Sequence, residues 1–487
     1  MVNGSNNSKF KAGEQVEMSS LNSSTWLERL RGIWRDIAGT FSGSVRPDLS
    51  NDSDILDLRE QMENCLEARG GEISARARAA FLGQTYIGLD INGRRRFLQL
   101  LASSFQTDEL AVSNAISEYN AAKLDNVPKA VKNLRMALEP RPIRLLTQFN
   151  ALPQGVKFLV DMRSDLLSFK QKDPSLQALE HDFRRLLTSW FDIGFLKLER
   201  ISWDHPASLL EKLIEYEAVH EMRGWGDLKN RLDADRRCFA FFHPRMPDEP
   251  LIFVQVALLN GLAKSIDELL DPSSPTCEAK KADTAIFYSI SNAQSGLEGI
   301  SFGGFLIKRV VDLLRAEFPS LRQFATLSPM PGFRKWLEKS LDNGELNIAP
   351  SEMKGLLTES RANDVGVTGD QTFLKSVLNS KEWYLDEAKE PAVRLILMKA
   401  AGRYLACCKR KDGIRALDPV ANFHLTNGAR IERLNWLADK SENGITNAVG
   451  LMVNYLYDLE RIEANHEAYS INGKTALSPA IKRLLKS

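Results

Sequence analysis

The 487-residue sequence predicts an α + α/β protein, an N-terminal helical bundle followed by a mixed-sheet domain that carries a helical insertion. Three observations predict it. Segments between about 51 and 191 keep a helical apolar period almost throughout. Beyond about 192, short apolar stretches rich in β-branched and aromatic residues take over. The chain is also longer than one ordinary core allows, so two or three domains are expected.

Residues 1–50 read as a mobile polar N-terminus, "MVNGSNNSKFKAGEQVEMSSLNSS", followed by one amphipathic helix in "TWLERLRGIWRDIAGTF". Residues 51–191 read as the bundle. "NDSDILDLREQMENCLEARGG" sets Ile55, Leu58, Met62 and Leu66 on one face, behind capping polar residues, and stops at Gly70-Gly71. "SARARAAFLGQTYIG", "INGRRRFLQLLASSF", "TDELAVSNAISEYNAAK", "VPKAVKNLRMALEP" and "SLQALEHDFRRLLTSWF" follow, separated by Gly, Pro or Asn-Asp breaks. No nucleotide loop or metal-ligand spacing occurs here, so the expected role is structural, in a homo-oligomer.

Residues 192–487 read as the second domain. "RRCFAFFHP", "PLIFVQVALL" and "TAIFYSIS" are strands, the first two close enough through "HPRMPDEP" for an antiparallel hairpin. A glycine run, a helix around "FLIKRVVDLLRAEF" and a strand "RQFATLS" ending at Pro329 come next. Residues 342–409 are expected to be a mostly helical insertion. "ARIERLNWLA" reads as a strand and "ITNAVGLMVNYLYDLERIE" as a helix.

Charge and composition narrow the function. A net charge of +1 supplies no field to recruit nucleic acid or an anionic membrane. The Arg94-Arg95-Arg96 run reads as a solvated helix face. The five cysteines, Cys65, Cys238, Cys277, Cys407 and Cys408, are scattered, odd in number and without a C-x-x-C. That argues for a reducing compartment and against a disulfide framework or a thiolate zinc site. No apolar run is long enough to span a bilayer, and the N-terminus lacks a signal-peptide core. Glu28 and Asp36 count against a transit peptide. A cytoplasmic location is expected, with the mitochondrial matrix as the alternative.

The chemistry concentrates in "FYSISNAQSGLEGISFGGFLIKRVVDLL", where a strand breaks into glycines and resumes as an amphipathic helix. Free N–H groups at a helix start hold anions. A phosphate loop of the Walker type needs Gly-Lys-Ser/Thr, whereas Gly303-Gly304 is followed by Phe305. The glycines at 296, 299, 303 and 304 lack dinucleotide spacing. Gly299-Ile300-Ser301-Phe302-Gly303 is a literal G-x-S-x-G, but "NAQSGLE" separates it from the strand, whereas a nucleophile elbow follows its strand directly. There remain two readings, a loop whose amides grip a diphosphate without lysine or metal and a glycine-rich loop with no ligand. Between two strands of a mixed sheet the first resembles the coenzyme A loop of GNAT-type acyltransferases, in which the acyl thioester lies between strands that splay apart.

Three blocks then resemble the malonyl-CoA decarboxylase family. They are "YEAVHEMRGWGDLKNRLDADRRCFAFFHPRMPDEPLIFVQVAL", "FYSISNAQSGLEGISFGGFLIKRVVDLLRAEFPSLRQFATLSPMPGFRKWL" and "HLTNGARIERLNWLADKSENGITNAVGLMVNYLYDLE". They cover most of 216–460 in family order, and "LSPMPGF" with "HLTNGA" are long and specific. The resemblance implies a bundle followed by a GNAT-like catalytic domain, malonyl-CoA as substrate, acetyl-CoA and CO2 as products, and a place in fatty acid metabolism. It implies that Glu298, Gly299, Ile300, Ser301, Phe302, Gly303 and Gly304 hold coenzyme A. Ser328 and His424 would be the catalytic pair, both also touching substrate, with Tyr457 a further active-site position. Some members carry an acid where this chain has Ser301, so no carboxylate role transfers there. No metal and no cofactor beyond the substrate's own coenzyme A is expected, because the thioester itself is the electron sink. An acyltransferase on the same scaffold and a non-catalytic acyl-CoA-binding protein are the alternatives. His181, His205, His220, His243 and His466 are expected to be structural, and buried hydrogen bonding explains Asn435, Asn454 and Tyr457 as readily as substrate contact.

Overall fold

The computed structural model describes residues 26–39, 41, 45–66, 71–300, 305–346, 370–380, 383–385 and 390–486. The chain divides into two compact units. One comprises Met1–Lys197, Phe242–Leu251 and Ala293–Ser301; the other comprises Leu198–Phe241, Ile252–Asn292 and Phe302–Ser487.

The first unit is helical. Its helices are α1 (26–38), α2 (Asp52–Leu66), α3 (Gly71–Gly88), α4 (Ile91–Ser104) and α5 (Glu109–Ala121). They continue with α6 (Val127–Leu138), α7 (Arg141–Asn150), α8 (Gly155–Lys170) and α9 (Gln177–Trp190). Aspartates begin two of them: Asp90 accepts from the N–H groups of Asn92 and Gly93, and Asp108 from those of Leu110 and Ala111. The sequence of α8, "GVKFLVDMRSDLLSFK", puts buried side chains on nearly all its faces, which marks it as the central helix. Phe158 of α8 meets Trp34 edge-on at 4.7 Å between centroids and Phe149 at 5.1 Å.

The second unit is built on an eight-stranded mixed sheet. Its strands are β1 (Lys197–Ile201), β2 (Arg236–His243), β3 (Met246–Leu259), β4 (Thr284–Asn292), β5 (Gln323–Thr326), β6 (Ser328–Pro329), β7 (Arg430–Asn435) and β8 (Met452–Leu456). They lie in the order β1-β2-β3-β4-β5-β8-β6, with β7 also paired to β8. Helices α10 (Ala207–Tyr216), α11 (Trp225–Arg231), α12 (Ile266–Leu270), α13 (Phe305–Glu317) and α14 (Phe333–Asp342) punctuate the first strands. Next come α15 (Asp370–Asn379), α16 (Glu390–Cys407), α17 (Pro419–Thr426), α18 (Glu442–Ala448), α19 (Ile462–Asn472) and α20 (Pro479–Lys486). Ala257, Ile286, Ala325, Leu327 and Met452 form part of the core against the sheet.

Strand β4 is antiparallel to β3 but parallel to β5, the crossover running through α13. The β4–β5 pairing runs from Thr284 with Gln323 to Phe287 with Thr326, and Leu327 N–H then bonds Phe287 O at 3.0 Å. There the strands part. Ser328 pairs with Val453 of β8 instead, while β4 continues to Asn292 with no partner on that side among the described residues.

One sequence expectation fails. "ITNAVGLMVNYLYDLERIE" is not one helix. Helix α18 ends at Ala448, Val449 and Gly450 both take positive φ (52° and 74°), and Met452–Leu456 is strand β8, paired with β5, β6 and β7. The apolar residues there suit either period; the left-handed pair and the sheet decide. His424 lies in the last turn of α17, ahead of β7, because Asp418-Pro419 is a helix start: Asp418 accepts from Val420 N–H and Ala421 N–H, with Pro419 in the first turn.

Candidate active site

Ser328 and His424 are 96 residues apart in sequence and meet in the second unit, Ser328 Oγ to His424 Nε2 at 3.0 Å. His424 Nδ1 lies 2.7 Å from the Tyr457 hydroxyl. Different elements deliver each one. Ser328 opens β6, at the point where β5 leaves β4. Tyr457 follows β8 and is fixed by its own N–H to Phe324 O at 2.8 Å. His424 rides α17, and its ring stacks on Tyr455 at 4.5 Å between centroids, tilted by 26°.

The centre is buried: His424 is 3% exposed, Tyr457 2% and Ser328 6%. Burial pushes the imidazole down to about 3, so His424 is neutral at physiological pH. The same burial holds the Tyr457 phenol well above its ordinary range. The buried Tyr457 hydroxyl has no other hydrogen-bond partner among the described residues, so its O–H donates to Nδ1 and leaves the imidazole proton on Nε2. Nε2–H then donates to Ser328 Oγ, whose own O–H donates to Thr326 Oγ1 at 2.8 Å. Tyr455 N–H anchors that threonine oxygen at 3.2 Å. The result is a directional hydrogen-bond chain without a carboxylate, unlike a Ser-His-Asp triad.

Three supporting residues escape a reading of the sequence. Thr326 sits two residues before Ser328, the spacing that shares a face on extended chain. Tyr455 stands in the same relation to Tyr457. Asp418, besides capping α17, accepts from Tyr404 Oη at 3.2 Å. Gly332 of "SPMPGF" packs beneath that tyrosine; a Cβ there would lie 2.5 Å from its hydroxyl oxygen. Asn435 and Asn454 take the structural role: Asn435 Nδ2 donates to Asn454 Oδ1 at 2.8 Å, and Asn454 Nδ2 to Thr326 O at 2.7 Å.

Of the loop residues, Glu298, Gly299 and Ile300 are described and belong to the first unit; Ser301, Phe302, Gly303 and Gly304 lie outside the described residues. The loop opens with a 3-10 turn, Ser295–Leu297. Gly299 then takes φ of 74°, a conformation that favours glycine. Among the described residues no group of three His, Cys, Asp or Glu side chains could hold a metal ion, and no helix is long and apolar enough to cross a membrane.

Comparison with known proteins agrees across the chain. Residues 194–487 match the malonyl-CoA decarboxylase C-terminal domain and residues 105–191 its N-terminal domain. "Malonyl-CoA decarboxylase, mitochondrial" of Anser anser anser is 38% identical over 410 residues, 81% of this chain and 80% of that protein. The Rattus norvegicus protein of the same name is 41% identical over 352 residues, 70% of each chain. Among solved structures, malonyl-CoA decarboxylase from Agrobacterium vitis is 44% identical with a TM-score of 0.79, covering 88% of this chain and 99% of that one. The Rhodopseudomonas palustris enzyme is 41% identical with the same score and coverage. The chain belongs to the malonyl-CoA decarboxylase family.

Proposed function

We propose that the protein converts malonyl-CoA to acetyl-CoA and CO2 through a thioester enolate handled by Ser328, His424 and Tyr457. The single observation that carries this reading is the buried chain Tyr457–His424–Ser328, which presents a neutral N–H donor and a hydroxyl at a parting of strands. The name shared by relatives at about 40% identity supports the substrate.

The malonyl carboxylate loses CO2 when its C–C bond stands perpendicular to the thioester carbonyl, and the bonding pair moves into that carbonyl. Ser328 hydrogen-bonds the carboxylate and fixes its twist. His424 Nε2–H turns to the thioester oxygen, where charge develops. A positioned donor of this kind contributes roughly 3–4 kcal/mol. A neutral imidazole suits the task, since a buried imidazolium would bind the substrate carboxylate as strongly as the transition state and lose the differential. The enolate carbon then takes the Nε2 proton as Tyr457 passes its own to Nδ1, so no imidazolate forms. Tyr457 then takes its proton back from Nδ1 as water reprotonates Nε2, so the starting tautomer returns and the balance is one carboxylate and one proton in, one methyl and CO2 out. No resident cofactor is needed, because the thioester is the electron sink. The parting of β4 and β5 supports a GNAT-like binding mode with the acyl arm between them, and Glu298–Gly304 holds the coenzyme A phosphates.

Incubation with malonyl-CoA alone tests the reading. Acetyl-CoA and CO2 should appear in equal amounts with no acceptor and no added cofactor. Binding without turnover, or turnover only with an amine acceptor, overturns it.

A further inference from the structure

Arg163 of α8 is 1% exposed, and its guanidinium serves the anion loop. Nη1 donates to Gly296 O at 2.5 Å, and Nη2 to Glu298 O at 2.9 Å and to Glu180 Oε1 of α9 at 2.7 Å. Glu180 in turn meets Lys170 Nζ at 3.1 Å through its other oxygen. The loop is pressed against α8: a Cβ on Gly296 would lie 1.7 Å from Val160 O, and the Ser164 and Ser295 hydroxyls are 2.7 Å apart.

A trans peptide points its N–H opposite to its C=O, and the described chain has no cis bond. Holding the Glu298 carbonyl toward α8 therefore turns the Gly299 N–H away from α8. Among the described residues nothing accepts from that N–H, whereas the next one, Ile300 N–H, is spent on Leu297 O at 3.0 Å. A loop amide left to itself must be ordered when it binds an anion; one already fixed avoids that cost. A single neutral donor cannot span two carbonyls and a carboxylate, but the planar fork of an arginine can.

We propose that Arg163, held by Glu180, is a positioning residue that presets the Gly299 amide for the diphosphate of the acyl-CoA substrate. The proposal rests on the reading of Glu298–Gly304 as the coenzyme A loop.

The test uses the full chain and two substrates, malonyl-CoA and malonyl-N-acetylcysteamine, which is a malonyl thioester without diphosphate. Arg163→Met combined with Glu180→Met removes both buried charges together, so neither is left unpaired. The ratio of kcat/KM for malonyl-CoA to that for the truncated thioester should fall roughly tenfold or more, mostly through KM, as expected for one lost charge-assisted hydrogen bond. Arg163→Lys keeps the charge without the fork and should lie between wild type and the double variant. It carries the test alone if the double variant fails to melt cooperatively. A ratio equal to wild type in the folded variant overturns the role of Arg163. A wild-type enzyme that does not prefer malonyl-CoA over the truncated thioester overturns the loop reading itself.

Discussion

The second unit holds two clusters of buried polar side chains built on opposite rules. Around Glu217 the carboxylate is saturated. It accepts from the N–H groups of Val219 and His220, from Ser289 and Ser291, and from Gln255 Nε2 at 2.6 Å, with Arg231 3.7 Å away. Arg231 is likewise spent on Gln255 Oε1 and on the carbonyls of His220 and Glu221. Around His424 there is no charge, and a short chain of neutral groups hangs on one imidazole. The difference teaches what burial of polarity is for. A saturated ionic cluster has no capacity left for a ligand, so it serves the fold. A sparse neutral chain can trade its Nε2–H and serine hydroxyl for a ligand's oxygens, the capacity that the proposed chemistry needs.

Substitutions should separate the two. His424→Asn should lower turnover on malonyl-CoA roughly 10³-fold or more while coenzyme A binding stays measurable by calorimetry. Near-normal turnover would break the comparison on its chemical side. Glu217→Ala strands Arg231 and should cost about 3–5 kcal/mol in denaturant unfolding, with kcat per folded molecule near wild type. A loss of kcat without loss of stability would break it on the structural side. Ser328→Ala should cost about 10²-fold in kcat, and Tyr457→Phe about tenfold, since the latter removes a proton donor to a ring still held by its stack on Tyr455.

The smallest effect is on pH. Burial lowers His424 to about 3 and His220 to about 4, against an ordinary 6.5. Below that ordinary value the unfolded chain binds protons that the folded chain refuses. These histidines therefore leave stability intact above pH ~6.5 and erode it as pH falls toward their folded values. His424→Asn should flatten the acid side of a plot of melting temperature against pH. An unchanged slope would mean that His424 is not neutral in the folded protein.

The legibility of the molecule was uneven. The bundle helices were readable because capping aspartates, glycine stops and a 3.6 period agree with one another. Strands β2, β3 and β4 announced themselves by composition. Strand β8 did not, since "MVNYL" follows helix α18 without a polar break, and only the left-handed Val449-Gly450 pair ends that helix. His424 is legible through "HLTNGA", whereas its helix is not, because Asp418-Pro419 suits a turn as well as a helix start. The Glu217 cluster carried no signal, for its members come from residues 217 to 291 with no common spacing.

The sequence by itself determined the family, the residue types available for chemistry, and most helices and strands, because local propensity and long motifs act over neighbouring residues. Only the tertiary structure decided that Ser328, His424 and Tyr457 join in one chain, that the imidazole is neutral, and that Arg163 grips the loop through Gly296 and Glu298. Those facts depend on separations of 33 to 135 residues and on exclusion of water, and neither is written in any local stretch of chain.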